Sequence, residues 1–251
     1  MKVNYCSDLH LEFESNSRFL RDLPMDWEGD ILIMAGDIIP LQEGFRQHPF
    51  FAEVSRRFGK VFWLAGNHEF YHENVDRYGF SYSLPVMSNL FLVNNYEIEL
   101  GGVRFIFSTL WSYIRPENER RIAQGVSDFS CIRIQNTNFT PAACNQLHSD
   151  SLTYLDKVFE NREPLTVVVT HHLPSAVCNS PVHDLSPLNE AFCTDLSPRI
   201  RDYEARFWIH GHSHYNYPVR LLGKTFLLTN QLGYIDYQEQ LGFRYNAWFL
   251  V

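Results

Sequence analysis

The sequence is short of cysteine and of basic residues. Its 251 residues include only five cysteines, with no Cys-x-x-Cys pair, so neither a disulfide framework nor a thiolate-rich metal site is expected. Lysine and arginine number 21 against 29 aspartates and glutamates, which gives a formal net charge of -8. Because such a chain repels nucleic-acid backbones, no nucleic-acid partner is expected. A small phosphorylated substrate remains possible, because bound cations can set the field of a local site.

Long apolar runs are also missing. No stretch approaches the roughly 20 apolar residues that a membrane helix needs, and the opening MKVNYCSDLH has no apolar run typical of a secretory signal. With the cysteine pattern, this predicts a cytoplasmic protein without a membrane partner. The sequence also has no Gly-x-Ser-x-Gly, so nothing indicates a serine nucleophile on a strand-to-helix elbow.

Short β-like segments recur along the chain, with helical patterns between the earlier ones. Segments rich in β-branched and aromatic residues predict strands at 2–6, 30–36, 60–66, 104–108, 165–170, 206–210, 225–230 and 247–251. Glycines in turns predict hairpins over 97–107 and 219–228. Helices are predicted at 48–58 and 140–160, the second with Thr140 as its cap and Pro141 at its first position. The pattern predicts one α/β domain over 1–251 with mixed sheets.

The segment 111–138 is the least regular part of the sequence. It is too long for an ordinary connection between two elements, which indicates a lid or a binding loop at the rim of a site. A partly helical surface excursion without a special role fits the same pattern. Both interpretations stay open at this point.

Polar side chains follow five of the predicted strands. These strand ends carry SDLH (7–10), AGDI (35–38), AGNHEF (65–70), HH (171–172) and HGHSH (210–214). Because ligands of α/β sheets bind beyond the carboxyl ends of strands, we expect these scattered residues to converge. Each pattern alone also fits a turn or a capped strand end. Gly-His-Ser-His is more informative, since burying two imidazoles without a partner is costly.

Seven of these side chains offer nitrogen or oxygen donors, namely Asp8, His10, Asp37, Asn67, His171, His212 and His214. A single zinc ion takes three or four protein ligands. Seven ligands, with one carboxylate shared, suit two divalent cations. Mixed imidazole, carboxylate and amide donors favour Mn, Fe, Zn or Co, with Mg as a further option.

The ordered set DLH (8–10), GD (36–37), GNHE (66–69), THH (170–172) and GHSH (211–214) closely resembles the calcineurin-like metallophosphoesterase superfamily. STLW (108–111), THHLPS (170–175) and WIHGHSH (208–214) are similar to a bacterial subset of uncharacterised phosphohydrolases. The resemblance implies a four-layer α/β/β/α sandwich of two mixed sheets flanked by helices. Where that subset often has Asn-Pro-Arg-Gly-Tyr, this chain has NQLGY, ending at Gly233-Tyr234 without the proline and arginine.

The resemblance also implies how the metal ligands divide. The first metal would be bound by Asp8, His10 and His214. The second would be bound by Asn67, His171 and His212. Asp37 would bridge the two ions.

The remaining motif residues have implied or alternative roles. His68 would contact the phosphate and protonate the leaving group. Glu69 would orient His68 or a ligand, or would be a helix-start carboxylate without a catalytic role. His171 is preferred to His172 as the ligand because it directly follows the strand, which leaves His172 to pack or to reach towards substrate. His210 is assigned to the strand as a packing residue, and a sharp turn is expected at Gly211.

The expected activity is hydrolysis of a phosphomonoester or phosphodiester by a hydroxide bridging two divalent ions. A nuclease of the same superfamily is one alternative, disfavoured by the acidic charge balance. A non-catalytic metal-binding scaffold is another. Substrate contacts at the rim could come from Tyr71, His72, Trp111, Tyr113, Asn179 and His183, although packing or surface roles are favoured for each.

Overall fold

The computed structural model describes residues 1–23, 27–161 and 165–251. Its strands are β1 Lys2–Cys6, β2 Gly29–Ala35, β3 Phe58–Leu64, β4 Tyr82–Pro85, β5 Leu90–Asn94, β6 Tyr96–Leu100, β7 Val103–Ser108, β8 Arg133–Ile134, β9 Thr137–Asn138, β10 Thr166–Thr170, β11 Phe207–His210, β12 Arg220–Leu222, β13 Thr225–Thr229 and β14 Trp248–Leu250. Its α-helices are α1 Glu14–Asp22, α2 Pro49–Arg57, α3 Glu119–Gly125, α4 Asp128–Cys131, α5 Pro141–Val158 and α6 Ser197–Tyr203. Each predicted strand and helix is therefore confirmed, with small shifts of its ends.

Two six-stranded mixed sheets form the centre of the fold. The first has the order β14-β1-β2-β3-β5-β4 and the second β12-β13-β11-β10-β7-β6. In each sheet four parallel strands are flanked by one antiparallel strand at either edge. Both predicted hairpins are present, as the pairs β6–β7 and β12–β13.

Apolar side chains alternate between the two faces of the central strands. In β2, Ile31 and Ile33 lie in the core between the sheets, whereas Leu32 and Met34 face the outer layer with α2. Since both faces are covered, the strand reads as a continuous apolar run. The second sheet likewise has an outer core, which it shares with α5 and α6. The predicted four-layer α/β/β/α sandwich is confirmed.

The start of helix α5 has the cap and the first residue that the sequence predicted. The Thr140 hydroxyl accepts a hydrogen bond from the Ala143 N–H at 3.2 Å, and Pro141 begins α5. Pro49 begins α2 in the same way. The sequence did not predict α1, because its nine residues ESNSRFLRD contain only two large apolar side chains and form too short an apolar stripe.

The segment 111–138 is partly helical and folds against the rest of the chain. It contains α3, α4 and the two-stranded pair β8–β9. Ile122, Phe129 and Ile132 bury their side chains in the core on the outer side of the first sheet. No helix within the described ranges is long and apolar enough to cross a membrane.

The carboxyl ends of the parallel strands in the two sheets meet at one edge. The Thr109 hydroxyl, just after β7, donates to the Ala65 carbonyl beyond β3 at 2.6 Å. His171, just after β10, lies 2.9 Å through its Nδ1 from the carbonyl of Ala35 at the end of β2. Loops from both sheets therefore deliver their side chains to a common place.

Candidate metal centre

Among the described residues three groups of potential ligands lie at this edge; one is His10–Glu12–His68, and the other two consist entirely of predicted donors. Within each cluster one ligand atom per residue lies within 4.8 Å of the others, and the two clusters are Asp8–His10–His214 and Asp37–His171–His212. The Asn67 Oδ1 joins the second cluster, 2.9 Å from the His171 Nε2. Asp37 lies between the clusters, with Oδ2 4.0 Å from the His10 Nε2 and Oδ1 3.3 Å from the His171 Nε2. The structure thus brings together all seven predicted donor side chains.

The first cluster directs two imidazole lone pairs at each other. The Nδ1 atom of His10 lies 3.2 Å from Glu12 Oε1, and that of His214 lies 2.5 Å from Glu239 Oε2. Because a carboxylate accepts the N–H of each ring, the neutral rings carry their lone pairs on Nε2. These two Nε2 atoms are only 3.0 Å apart. Such a pair is repulsive unless a proton or a cation lies between the rings.

The second cluster also brings imidazole nitrogens and an amide oxygen into close contact. The His171 Nδ1 donates to the Ala35 carbonyl, and its Nε2 faces Asn67 Oδ1 at 2.9 Å and His212 Nδ1 at 3.1 Å. The Asn67 amide nitrogen donates to Asp128 Oδ1 at 2.9 Å, which turns the amide oxygen towards His171. The buried His212 Nε2 has no hydrogen-bond partner among the residues that the structure describes.

This donor chemistry fits divalent cations. Convergent imidazole nitrogens and carboxylate or amide oxygens, without sulfur, are ligands of Mn, Fe, Zn, Co or Mg. Without a cation, burial opposes the charged forms of His171 and His214. Asp37 outweighs burial at His171 and raises its pKa to about 9, and Asp8 and Glu239 raise the pKa of His214 to about 10. Since metals bind neutral imidazole, metal must displace protons here.

The backbone is strained at the potential ligands. Asp8, His10, Asp37, His212 and His214 all have φ between 46° and 76°, the left-handed region. Non-glycine residues adopt this region rarely, and such strain concentrates at functional sites. Five of the seven predicted donors therefore occupy costly backbone conformations that point their side chains into one site.

Motif glycines leave room for these side chains. A Cβ atom on Gly66 would lie 2.2 Å from Asp37 Oδ1, and one on Gly36 would lie 2.3 Å from His171 Nδ1. A Cβ on Gly211 would lie 2.6 Å from Asp8 Oδ2. The chain bends directly after Gly211, at His212 and Ser213, and Gly211 itself has no positive φ; its missing side chain allows the close approach of Asp8.

Glu69 connects the ends of β2 and β3. Its buried carboxylate accepts hydrogen bonds from the backbone N–H groups of Asp37 (2.9 Å), Ile38 (2.7 Å) and Gly66 (2.6 Å), and from the Trp63 indole (2.9 Å). Burial, with the nearby Asp37 charge, raises the pKa of Glu69 to about 7. Of the two predicted readings, the geometry favours the orienting role, exerted on the backbone of Asp37.

His68 lies beside both clusters at the mouth of the site. Its backbone N–H donates to Asp37 Oδ1 at 2.9 Å, and its Nδ1 lies 3.3 Å from Glu12 Oε1. Its ring stacks on Tyr71 at 4.0 Å between centroids, and its Nε2 is 3.3 Å from the Tyr234 hydroxyl. Burial opposes protonation, but Asp37 and Glu12 outweigh it and raise the pKa of His68. A protonated Nε2 directed at the site can donate to a bound anion.

The other two motif histidines are packing residues in the structure. The His210 Nε2 is 2.5 Å from the Tyr217 hydroxyl, inside the core on the outer side of the second sheet. His172 is buried, with Nδ1 3.3 Å from the Thr109 carbonyl and its ring 4.1 Å from that of His212. Neither ring belongs to the two clusters, so the geometry favours His171 over His172 as a ligand.

A cavity of about 290 Å³ lies over the clusters. Its walls include Gly125 to Asp128 from the segment 111–138, with Leu188, Phe192 and Tyr234. The segment therefore forms part of the wall. Among the described residues no lysine or arginine lines this cavity.

The rim residues suggested by the sequence lie in cavity walls, in the core or on the exposed surface. Tyr71 and His183 line the cavity, and His72 lines a neighbouring one. Trp111 is buried against Phe139, and Asn179 is buried and hydrogen-bonded to Asp184 and Asn189. Tyr113 is exposed. Packing or surface roles hold for the last three.

Sequence reasoning missed three acidic residues that orient the site. They are Glu12, which contacts His10 and His68; Asp128, which holds Asn67; and Glu239, which contacts His214. Glu12 could have been suspected from its place two residues after His10. Asp128 and Glu239 carry no local signal, because only the fold brings them to the site.

Comparison with known proteins agrees with this geometry. Residues 1–216 match the family described as calcineurin-like phosphoesterase. An uncharacterised protein of Acanthamoeba polyphaga mimivirus is 32% identical over 261 residues, covering 92% of this chain and 91% of the viral protein. The crystal structure of phosphopantetheinyl hydrolase from Mycobacterium tuberculosis superposes with a TM-score of 0.74 at 16% identity, covering 99% of this chain and 95% of that one. The chain belongs to the calcineurin-like phosphoesterase family.

Proposed function

We propose that this phosphoesterase is a dinuclear metal-dependent phosphohydrolase acting on a small phosphomonoester or phosphodiester. The observation that carries the proposal is the pair of neighbouring ligand clusters with Asp37 between them, in each of which two imidazole nitrogens face one another at 3.0–3.1 Å. Asp8, His10 and His214 would hold one cation, and Asn67, His171 and His212 the other. When bound, two such cations supply Lewis-acid activation of water and neutralise charge on the phosphate.

The chain's own residues supply the rest of the chemistry. His68, held by Glu12 and by stacking on Tyr71, directs its Nε2 at the site and can protonate the leaving oxygen. The raised pKa of His68 keeps the acid form available to higher pH. The Tyr234 hydroxyl, 3.3 Å from that nitrogen, can donate to the same substrate oxygens.

Metal content and activity measured on the same samples test the proposal. The wild type, stripped with chelator and reconstituted with Mn, should bind two equivalents and hydrolyse an aryl phosphate or its methyl diester. Asp37→Asn should lose both metal and activity, whereas His68→Ala should keep the metal and lose about 10²–10⁴-fold in rate, the typical contribution of general acid–base catalysis.

The three neighbouring histidines provide a matched control for the ligand assignment. His212→Ala and His214→Ala should each lose metal, while His210→Ala should retain it, because His210 bonds to Tyr217 away from the clusters. Loss of metal from His210→Ala equal to that from the other two would refute the assignment. A metal-loaded, folded protein without activity on any phosphoester would instead support the scaffold interpretation.

A further inference from the structure

A second and larger cavity adjoins the candidate metal centre at His68. It has a volume of about 590 Å³ and contains none of the seven potential ligands. His68 and Tyr71 line both cavities, so this stacked pair marks the boundary between them. A substrate whose phosphate lies over the clusters can therefore extend past His68 into the larger space.

The reaction chemistry decides which part of the substrate extends there, a step that rests on the proposed function. In hydrolysis an oxygen of water bonds to phosphorus as the ester P–O bond on the opposite side breaks. The departing oxygen takes its proton from the His68 Nε2. The leaving group must therefore lie on the His68 side of the phosphate, where the larger cavity opens.

The walls of the larger cavity are apolar and acidic. Phe13, Ile39 and Phe45 contribute apolar surface, and Phe13 also meets the Tyr234 ring edge-on at 5.5 Å between centroids. Glu12 and Glu43 contribute carboxylates. Within the described ranges no lysine or arginine lines this cavity either.

Other basic groups lie near the apolar wall: His48 and His72 line the cavity, and the Arg46 guanidinium lies over the Phe45 ring at 5.6 Å to its centroid. His48 lies 3.2 Å through its Nε2 from the Ser17 hydroxyl, and burial lowers its pKa, so the ring is neutral near pH 7. Because the carboxylates line the cavity and Arg46 does not, an anionic leaving group is disfavoured there.

We propose that this cavity is the leaving-group site, and that the substrate is an ester with a single phosphate whose leaving alcohol is uncharged or cationic and presents apolar or aromatic surface. The clusters hold the phosphate, and the wall formed by Phe13, Ile39 and Phe45 holds the alcohol. Nucleoside polyphosphates, polynucleotides and acidic phosphopeptides fall outside this class because their leaving groups are anionic.

The test compares three aryl phosphates that differ only in the charge on the leaving ring. They are phenyl, 3-carboxyphenyl and 3-(trimethylammonio)phenyl phosphate, each also prepared as its methyl diester and assayed with Mn-loaded protein. Glu43→Lys reverses a charge on the cavity wall away from the ligands. Glu160→Lys, an exposed carboxylate after α5 on the outer layer of the other sheet, is the matched control.

Selectivity is read as the ratio of kcat/KM between substrates, because their intrinsic reactivities cancel when variant and wild type are compared. Glu43→Lys should raise the ratio of kcat/KM for the carboxyphenyl ester to kcat/KM for the trimethylammonio ester about three- to fivefold or more. This magnitude corresponds to one screened charge pair, and the change should lie mostly in KM. Glu160→Lys should leave the ratio unchanged.

The outcomes separate the two proposals. Hydrolysis with the same ratio in wild type and Glu43→Lys would overturn the leaving-group site while leaving the phosphohydrolase intact. A wild-type preference for the carboxyphenyl ester over the phenyl ester would do the same. Failure to hydrolyse any of the six esters with two metals bound would overturn both.

Discussion

Replacing Asp128 by alanine is expected to weaken the second metal site by about 10- to 100-fold. Asp128 is buried, and its Oδ1 accepts hydrogen bonds from the Asn67 amide and the Tyr71 hydroxyl, both at 2.9 Å. The first bond fixes which way the Asn67 amide points. Without it the amide is free to turn its nitrogen towards His171, where an acceptor is needed. Loss of such orienting partners costs 10–100-fold in metal affinity, or about 1.4–2.7 kcal/mol.

Calorimetric titration of metal-free protein with Mn at pH 7, checked by metal content, measures the effect. The wild type should bind two equivalents, and Asp128→Ala should lose affinity in only one of them. Asp128→Asn is the matched control, because its amide oxygen can still accept from Asn67, and it should remain close to wild type. Two unaltered sites in Asp128→Ala would refute the reasoning. An equal loss in Asp128→Asn would show that the charge matters rather than the acceptor.

Three further predictions concern other parts of the site. Tyr234→Phe should lower kcat about tenfold with unchanged metal content, because one donor near the His68 Nε2 is removed; an unaltered kcat would exclude this role. Gly66→Ala should abolish metal binding in a protein that still folds by circular dichroism, since its Cβ would displace the Asp37 carboxylate; full occupancy would contradict the packing argument. Burial lowers the pKa of His210 to about 4 from its usual 6.5, so its neutral form stabilises the fold above pH 6.5, and this contribution is lost as pH falls towards 4. Metal-free wild type should therefore lose about 2 kcal/mol more unfolding free energy between pH 7 and 5 than His210→Gln in urea titrations, and equal losses would exclude the effect.

The sequence alone determined the central strands and the donor residues at their ends. Runs such as ILIMA and VVV predict strands covered on both faces, because no polar side chain interrupts them. The donors follow directly after these strands in the sequence, so the position of each strand end also fixes the position of its donor. That local coupling is why all seven predicted side chains converge in the structure. It also explains why Thr140 and Pro141 located the start of α5.

Tertiary structure decided how those donors are oriented. Glu12, Asp128 and Glu239 select the tautomers of His10 and His214 and the direction of the Asn67 amide. Asp128 is 61 residues from Asn67 and Glu239 is 25 from His214, so no local periodicity relates the partners.

The shapes of the two cavities were also decided by tertiary structure. The segment 111–138 becomes part of the cavity wall through packing of Ile122, Phe129 and Ile132, which follow no simple period. The larger cavity beside His68 lies between loops that follow three different strands, β1, β2 and β3. Strand and helix formation depends on neighbours along the chain, whereas hydrogen-bond direction and empty space depend on neighbours in three dimensions.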